Sequence, residues 1–103
     1  MATIVQTPRQ LVLKEGSATL TLDKDSGKAT WQQKILLWNK KPVEFAFSEI
    51  DDIAVKSDTD GLSGASIHHS VLHRRTGETL VLTTEEAKDA AETVKKLRGF
   101  VGM

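Results

Sequence analysis

The chain reads as a mainly β protein with one C-terminal α-helix: a small, partly open barrel of two packed antiparallel sheets, capped by the helix. Two observations predict this. The apolar strand Thr79-Leu80-Val81-Leu82 runs directly into an amphipathic helical segment, and several strand-like segments separated by turn residues come before it. At 103 residues the chain is long enough for one domain with its own buried core.

Residues 1–9 end in Thr7-Pro8-Arg9 without periodicity and read as a flexible arm or an edge segment, which leaves 10–103 as the domain. Gln10-Leu11-Val12-Leu13-Lys14 is a short β run and Glu15-Gly16-Ser17 a tight turn. Ala18, Leu20 and Leu22 then alternate with Thr19, Thr21 and Asp23, the pattern of a half-buried strand. After the Asp25-Ser26-Gly27 turn, a long strand places Ala29, Trp31, Gln33, Ile35 and Leu37 on one face. Asn39-Lys40-Lys41-Pro42 ends it, because proline cannot donate into a central ladder.

Val43, Phe45 and Phe47 alternate next, and Ser48–Asp52 forms a corner into Ile53-Ala54-Val55-Lys56. The stretch Ser57–Gly64 reads as the longest loop. Residues 65–75 fit a strand or a helix. Thr76-Gly77 followed by Glu78–Leu82 favours the strand, as one arm of a hairpin.

The closing helix is expected over about 84–98. Thr83 and Glu86 have the spacing of a capping box, in which each side chain satisfies a backbone donor of the first turn. Acidic residues lead and Lys95, Lys96 and Arg98 follow, which suits the helix dipole. Ala87, Ala90, Ala91, Val94, Leu97 and Val101 form the expected buried stripe, with Phe100 at its margin.

This order of elements, about residues 10–101, resembles the pleckstrin-homology-like superfold. The segment Phe45-Ala46-Phe47-Ser48-Glu49-Ile50-Asp51-Asp52-Ile53-Ala54-Val55 is similar to the strand–corner–strand of small bacterial PH-like and GRAM-like domains. The resemblance implies a seven-stranded barrel whose fifth strand has an exposed edge beside the closing helix. That edge can accept a partner strand, here through Ile53, Val55 and Lys56. Lipid binding does not carry over with it. The region matching the phosphoinositide site offers Lys14 before a short loop, with no arginine to complete a phosphate cage.

Composition bounds the function further. Fourteen basic side chains balance fourteen acidic ones, whereas nucleic-acid binding draws on a basic excess, so no nucleic-acid partner is expected. Five lysines between Lys24 and Lys41, and six carboxylates between Glu44 and Asp60, would partly neutralise each other if their strands paired. The chain has no cysteine, hence no disulfide, thiolate nucleophile or cysteine-based zinc site. The N-terminal residues lack the pattern of a secretory leader and no apolar run spans a membrane, so a cytoplasmic protein is expected.

No constellation carries chemistry. His69 and His73 would share a strand face but stand about 13 Å apart along it, too far for one metal. With His68 they read as surface or hydrogen-bonded histidines. Asp58-Thr59-Asp60-Gly61 opens like a calcium loop but lacks the later ligands, and reads as a turn. Asp51 and Asp52 point apart on extended backbone, as do His69 and Ser70.

The expected function is therefore non-catalytic, a protein-interaction or self-assembly module with no cofactor and no metal. The alternative is weak contact with anionic membrane headgroups through Trp38, Lys40 and Lys41, an aromatic beside a basic tip. The two readings separate in a vesicle co-sedimentation assay. The interaction reading expects no salt-sensitive binding to anionic vesicles, whereas binding lost in Lys40→Glu/Lys41→Glu would favour the lipid one.

Overall fold

The computed structural model describes residues 3–35, 38–39, 42–59 and 61–103. They form nine strands and one α-helix, arranged in two compact units, 1–49 and 50–103. Both sheets are antiparallel throughout. Among the described residues no strand of one sheet pairs with a strand of the other, so the sheets are not closed into a barrel.

The first sheet follows the order β1 (Thr3–Gln6), β2 (Gln10–Glu15), β3 (Ala18–Asp23), β4 (Lys28–Ile35). Beyond β4 lie two short strands, β5 (Trp38–Asn39) on its C-terminal end and β6 (Val43–Ala46) on its N-terminal end. Register turns the period-two pattern into a core. Leu11, Leu22, Ala29 and Phe45 stand opposite one another across the sheet, as do Leu13, Leu20, Trp31 and Val43. All but Val43 are buried. The β2–β3 hairpin turns through Gly16 and Ser17, with Gly16 at φ 56°, where a side chain would strain the backbone. On the paired strands β4 and β6, Lys28 meets Glu44 at 3.2 Å, a cross-strand neutralisation of the kind the charge pattern predicts.

Of the two readings of 1–9, the edge segment is the one found. Thr3–Gln6 is an edge strand paired with Leu11–Lys14, because Thr7 turns the chain back. Its backbone N–H donates to the Gln10 carbonyl, and its Oγ1 accepts from the Gln10 N–H at 3.0 Å.

The second unit follows a 3-10 turn, Phe47–Glu49. Its sheet has the order β7 (Ile50–Thr59), β8 (Ser66–Arg74), β9 (Thr79–Glu85). The hairpin reading of 65–82 is correct, with its second strand running on to Glu85. Its turn closes through the Gly77 N–H to the Arg74 carbonyl, with the Arg74 N–H bonded to the Glu78 carbonyl. β7 runs farther than the sequence suggests: Ser57, Asp58 and Thr59 pair with His68, Ile67 and Ser66, so the expected loop starts only after Thr59.

The helix α1 spans Ala87–Val101 and packs on β7, β8 and β9. It starts about three residues later than expected, and the capping box is absent. Thr83 belongs to β9, and Glu86 is the N-cap without a side-chain cap bond. Pairing of Thr83 with Ser70, Thr84 with His69 and Glu85 with His68 on β8 prolongs the strand past the point where a capping box would begin the helix. The buried stripe is accordingly rotated to Ala90, Thr93, Val94, Leu97 and Phe100, while Ala87 and Ala91 are exposed. Gly102 ends the helix at φ 86°, its N–H bonded to the Arg98 carbonyl, a left-handed stop that glycine adopts without strain.

Leu97 is fully buried in this contact. Leu97→Ala should lower stability by roughly 2–5 kcal/mol, read as a lower midpoint in denaturant. An unchanged midpoint would mean that the helix is not seated on the sheet.

Candidate functional site: the open half of strand β7

The helix and the irregularities of its sheet decide which backbone is left open at the sheet's edges. β8 is central, so β7 and β9 are the edges of the second sheet. β7 is irregular at its start, where pairing skips from Ile50 to Asp52. Just past that point, Arg98 on the helix donates through Nη1 to Asp52 Oδ1 and, at 3.0 Å, to the Ile53 carbonyl. A guanidinium placed this way occupies both side-chain and backbone acceptors at the edge, and so guards that stretch against strand addition. Beyond Arg98, all five residues Val55–Thr59 are exposed, and among the described residues this stretch has a ladder partner only in β8.

Pairing separates the side chains of this edge onto two faces. Val55, Ser57 and Thr59 alternate with Lys56 and Asp58. Ser57 Oγ and His68 Nδ1 share a hydrogen bond of 2.8 Å on one face. On the other, Asp58 Oδ2 lies 3.6 Å from His69 Nε2. The edge thus presents backbone, one apolar side chain (Val55, 39% exposed) and a plus–minus pair, Lys56 and Asp58.

Ile53, Val55 and Lys56, the residues expected at a partner edge, all stand on β7, but not alike. Ile53 is fully buried in the core of its sheet and its carbonyl is taken by Arg98, so its contribution to a partner surface lies behind the guard. Val55 and Lys56 are exposed. Ser57, Asp58 and Thr59, which complete the edge, escape sequence reading because Ser-Asp-Thr-Asp-Gly looks like a turn. Their pairing with 66–68 is a tertiary effect. Trp38 lies in β5 by its backbone, and Lys40 and Lys41 lie outside the described residues.

The remaining candidates are structural. His68, His69 and His73 each share a hydrogen bond through Nδ1 with a hydroxyl on a neighbouring strand: Ser57, Thr84 and Thr79, respectively. Among the described residues no three His, Asp or Glu side chains stand where they could hold one metal ion. Asp58 and Thr59 are strand residues rather than the start of a cation loop; Asp60 lies outside the described residues.

Ser70 is fully buried and hydrogen-bonded to Thr83, which removes it from any substrate arriving through solvent. It begins a polar chain into the helix. Thr83 Oγ1 donates to Glu85 Oε2 at 3.0 Å, and Thr93 Oγ1 on α1 donates to the same oxygen at 3.0 Å. A shift in the β8–β9 register aligns the first two hydroxyls. Ser70 pairs with Thr83 and Val71 with Val81, so Leu82 is the extra residue of a bulge that re-aims Thr83 toward Ser70.

No family model, no curated protein and no solved structure matches the chain.

The polar chain makes a stability prediction. Thr83→Val strips Ser70 of its partner and Glu85 of one donor, and should cost about 1–3 kcal/mol in denaturant unfolding. Adding Ser70→Ala should cost less than the sum of the two single changes, because a lone buried hydroxyl is then removed as well. Additive costs would show that the two hydroxyls are energetically separate.

Proposed function

We propose that this protein is a non-catalytic interaction module that accepts an extended partner strand along the open half of β7. The observation that carries the reading is the contrast within one strand. Arg98 occupies the edge at Asp52 and Ile53, and Val55–Thr59 beyond it are exposed with a ladder on one side. Strand addition draws its affinity from main-chain hydrogen bonds and its specificity from alternate side chains. β7 supplies both, with α1 at one end of the exposed run.

The other edges compete less well, β5 and β6 because they are two and four residues long. β1 is four residues long, and its exposed apolar side chain is Val5. β9 is interrupted by its bulge and has Glu85 engaged with Thr83 and Thr93. The PH-like resemblance of the sequence supports the same reading. In that scaffold, the edge beside the closing helix is where partner strands dock.

A photo-cross-linking residue at position 57 tests this in cells that produce the protein. It should capture a polypeptide, whether a second copy or another chain. The same residue at position 21, on the inner strand β3, should capture none from outside the chain. No adduct at 57, or equal capture at both positions, would contradict the reading.

A further inference from the structure

We infer that the strand taken up by β7 is the β7 of a second copy of this chain, paired antiparallel about a two-fold axis at Ser57. This rests on the strand-accepting reading above and adds the identity of the partner and its register.

Symmetry and charge together select that register. Opposed side chains in an antiparallel ladder share a face, and a two-fold axis normal to the sheet preserves faces. Each residue must therefore oppose one an even number of positions away, and the axis passes through a residue. An axis at Val55 would set Asp52 against Asp58 in both halves of the seam. One at Lys56 would set Lys56 against itself. An axis at Ala54 would oppose Asp52 and Lys56, but it centres the seam on backbone where Arg98 already holds Asp52 and the Ile53 carbonyl.

An axis at Ser57 avoids all three faults. It sets Lys56 against Asp58 twice, once in each direction, and Val55 against Thr59 twice. Opposite charges and β-branched pairs directly across an antiparallel seam are favourable, and like charges unfavourable. The seam uses only Val55–Thr59, the exposed run beyond Arg98. It joins the two three-stranded sheets into one of six strands, with both copies of α1 on the same face. Charges that discourage indiscriminate pairing at a bare edge here specify one partner and one alignment.

Sedimentation equilibrium of the full chain across a wide concentration range tests the inference. The parent should dimerise reversibly. Lys56→Asp and Asp58→Lys should each weaken the dimer on the order of tenfold or more, because each turns two attractive pairs into repulsive ones. An equimolar mixture of the two variants should recover a mixed dimer, since the two carboxylates of one chain then face the two ammonium groups of the other. Both positions are exposed, so the unfolding midpoints should stay near the parent's. Should a reversal unfold the chain, Lys56→Gln and Asp58→Asn carry the same test, with an expected loss of about threefold.

A parent that stays monomeric overturns the inference. So does a dimer indifferent to Asp58→Lys, which would point to another register or to the β1 edge. Failure of the underlying reading looks different. A monomeric parent whose position-57 cross-linker captures a different polypeptide leaves β7 as an acceptor for another chain. A monomer that captures nothing removes both.

Discussion

A fifteen-residue helix alone in water is marginal, because its few hydrogen bonds barely offset the ordering of its backbone. α1 is held by what it covers. Ala90, Val94, Leu97 and Phe100 bury an apolar stripe against β7, β8 and β9, and a three-stranded sheet in turn needs such cover for its own apolar face. Polar contacts fix the position that the apolar stripe alone leaves free to slide. Thr93 reaches Glu85 near the middle of the helix, and Arg98 reaches Asp52 and Ile53 near its end. These anchors lie on opposite edge strands, so the helix cannot rotate or shift along its axis without breaking one of them.

The same seating determines the surface. Arg98 performs two tasks with one guanidinium, tying the helix to β7 and closing the first part of that strand's edge. The irregularities of the sheet act in concert with it. The extra residue in β9 turns Thr83 toward Ser70 and Glu85, and the skipped pairing at the start of β7 breaks its ladder just before Arg98 takes over. What remains regular, exposed and one-sided is Val55–Thr59. The open edge is therefore a remainder of the packing: the part of β7 beyond the contacts of Arg98 with Asp52 and Ile53.

Much of this architecture is legible from residue pattern. The alternation of Ala18, Leu20 and Leu22, the Gly16 and Gly77 turns, and the apolar run before the helix all report local geometry, and local geometry is what sequence periodicity encodes. The failures have a common cause in tertiary pairing. Thr83 and Glu86 match a capping box, yet Thr83 is held in β9 by the hydroxyl of Ser70 on the facing strand, and the helix waits until Ala87. Thr93 is not in the expected apolar stripe and is buried, its hydroxyl donating to Glu85 from the preceding strand. Ser57-Asp58-Thr59 has turn chemistry but extends a strand, since residues 66–68 lie across from it. The edge at Ile53–Lys56 is legible in outline; that Arg98 divides it is not, because nothing in the sequence links position 98 to position 53.

The open edge of β7 depends on α1 and its sheet forming one cooperative unit. Native-state amide exchange measures this most directly, residue by residue. Amides from Ala90 to Phe100 should exchange with the same opening free energy as those of Val71 and Leu72 in the central strand, and that value should equal the free energy of global unfolding. Helix amides that exchange through a separate, much lower-energy opening while β8 stays protected would contradict it, and would show the sheet holding its fold without the helix.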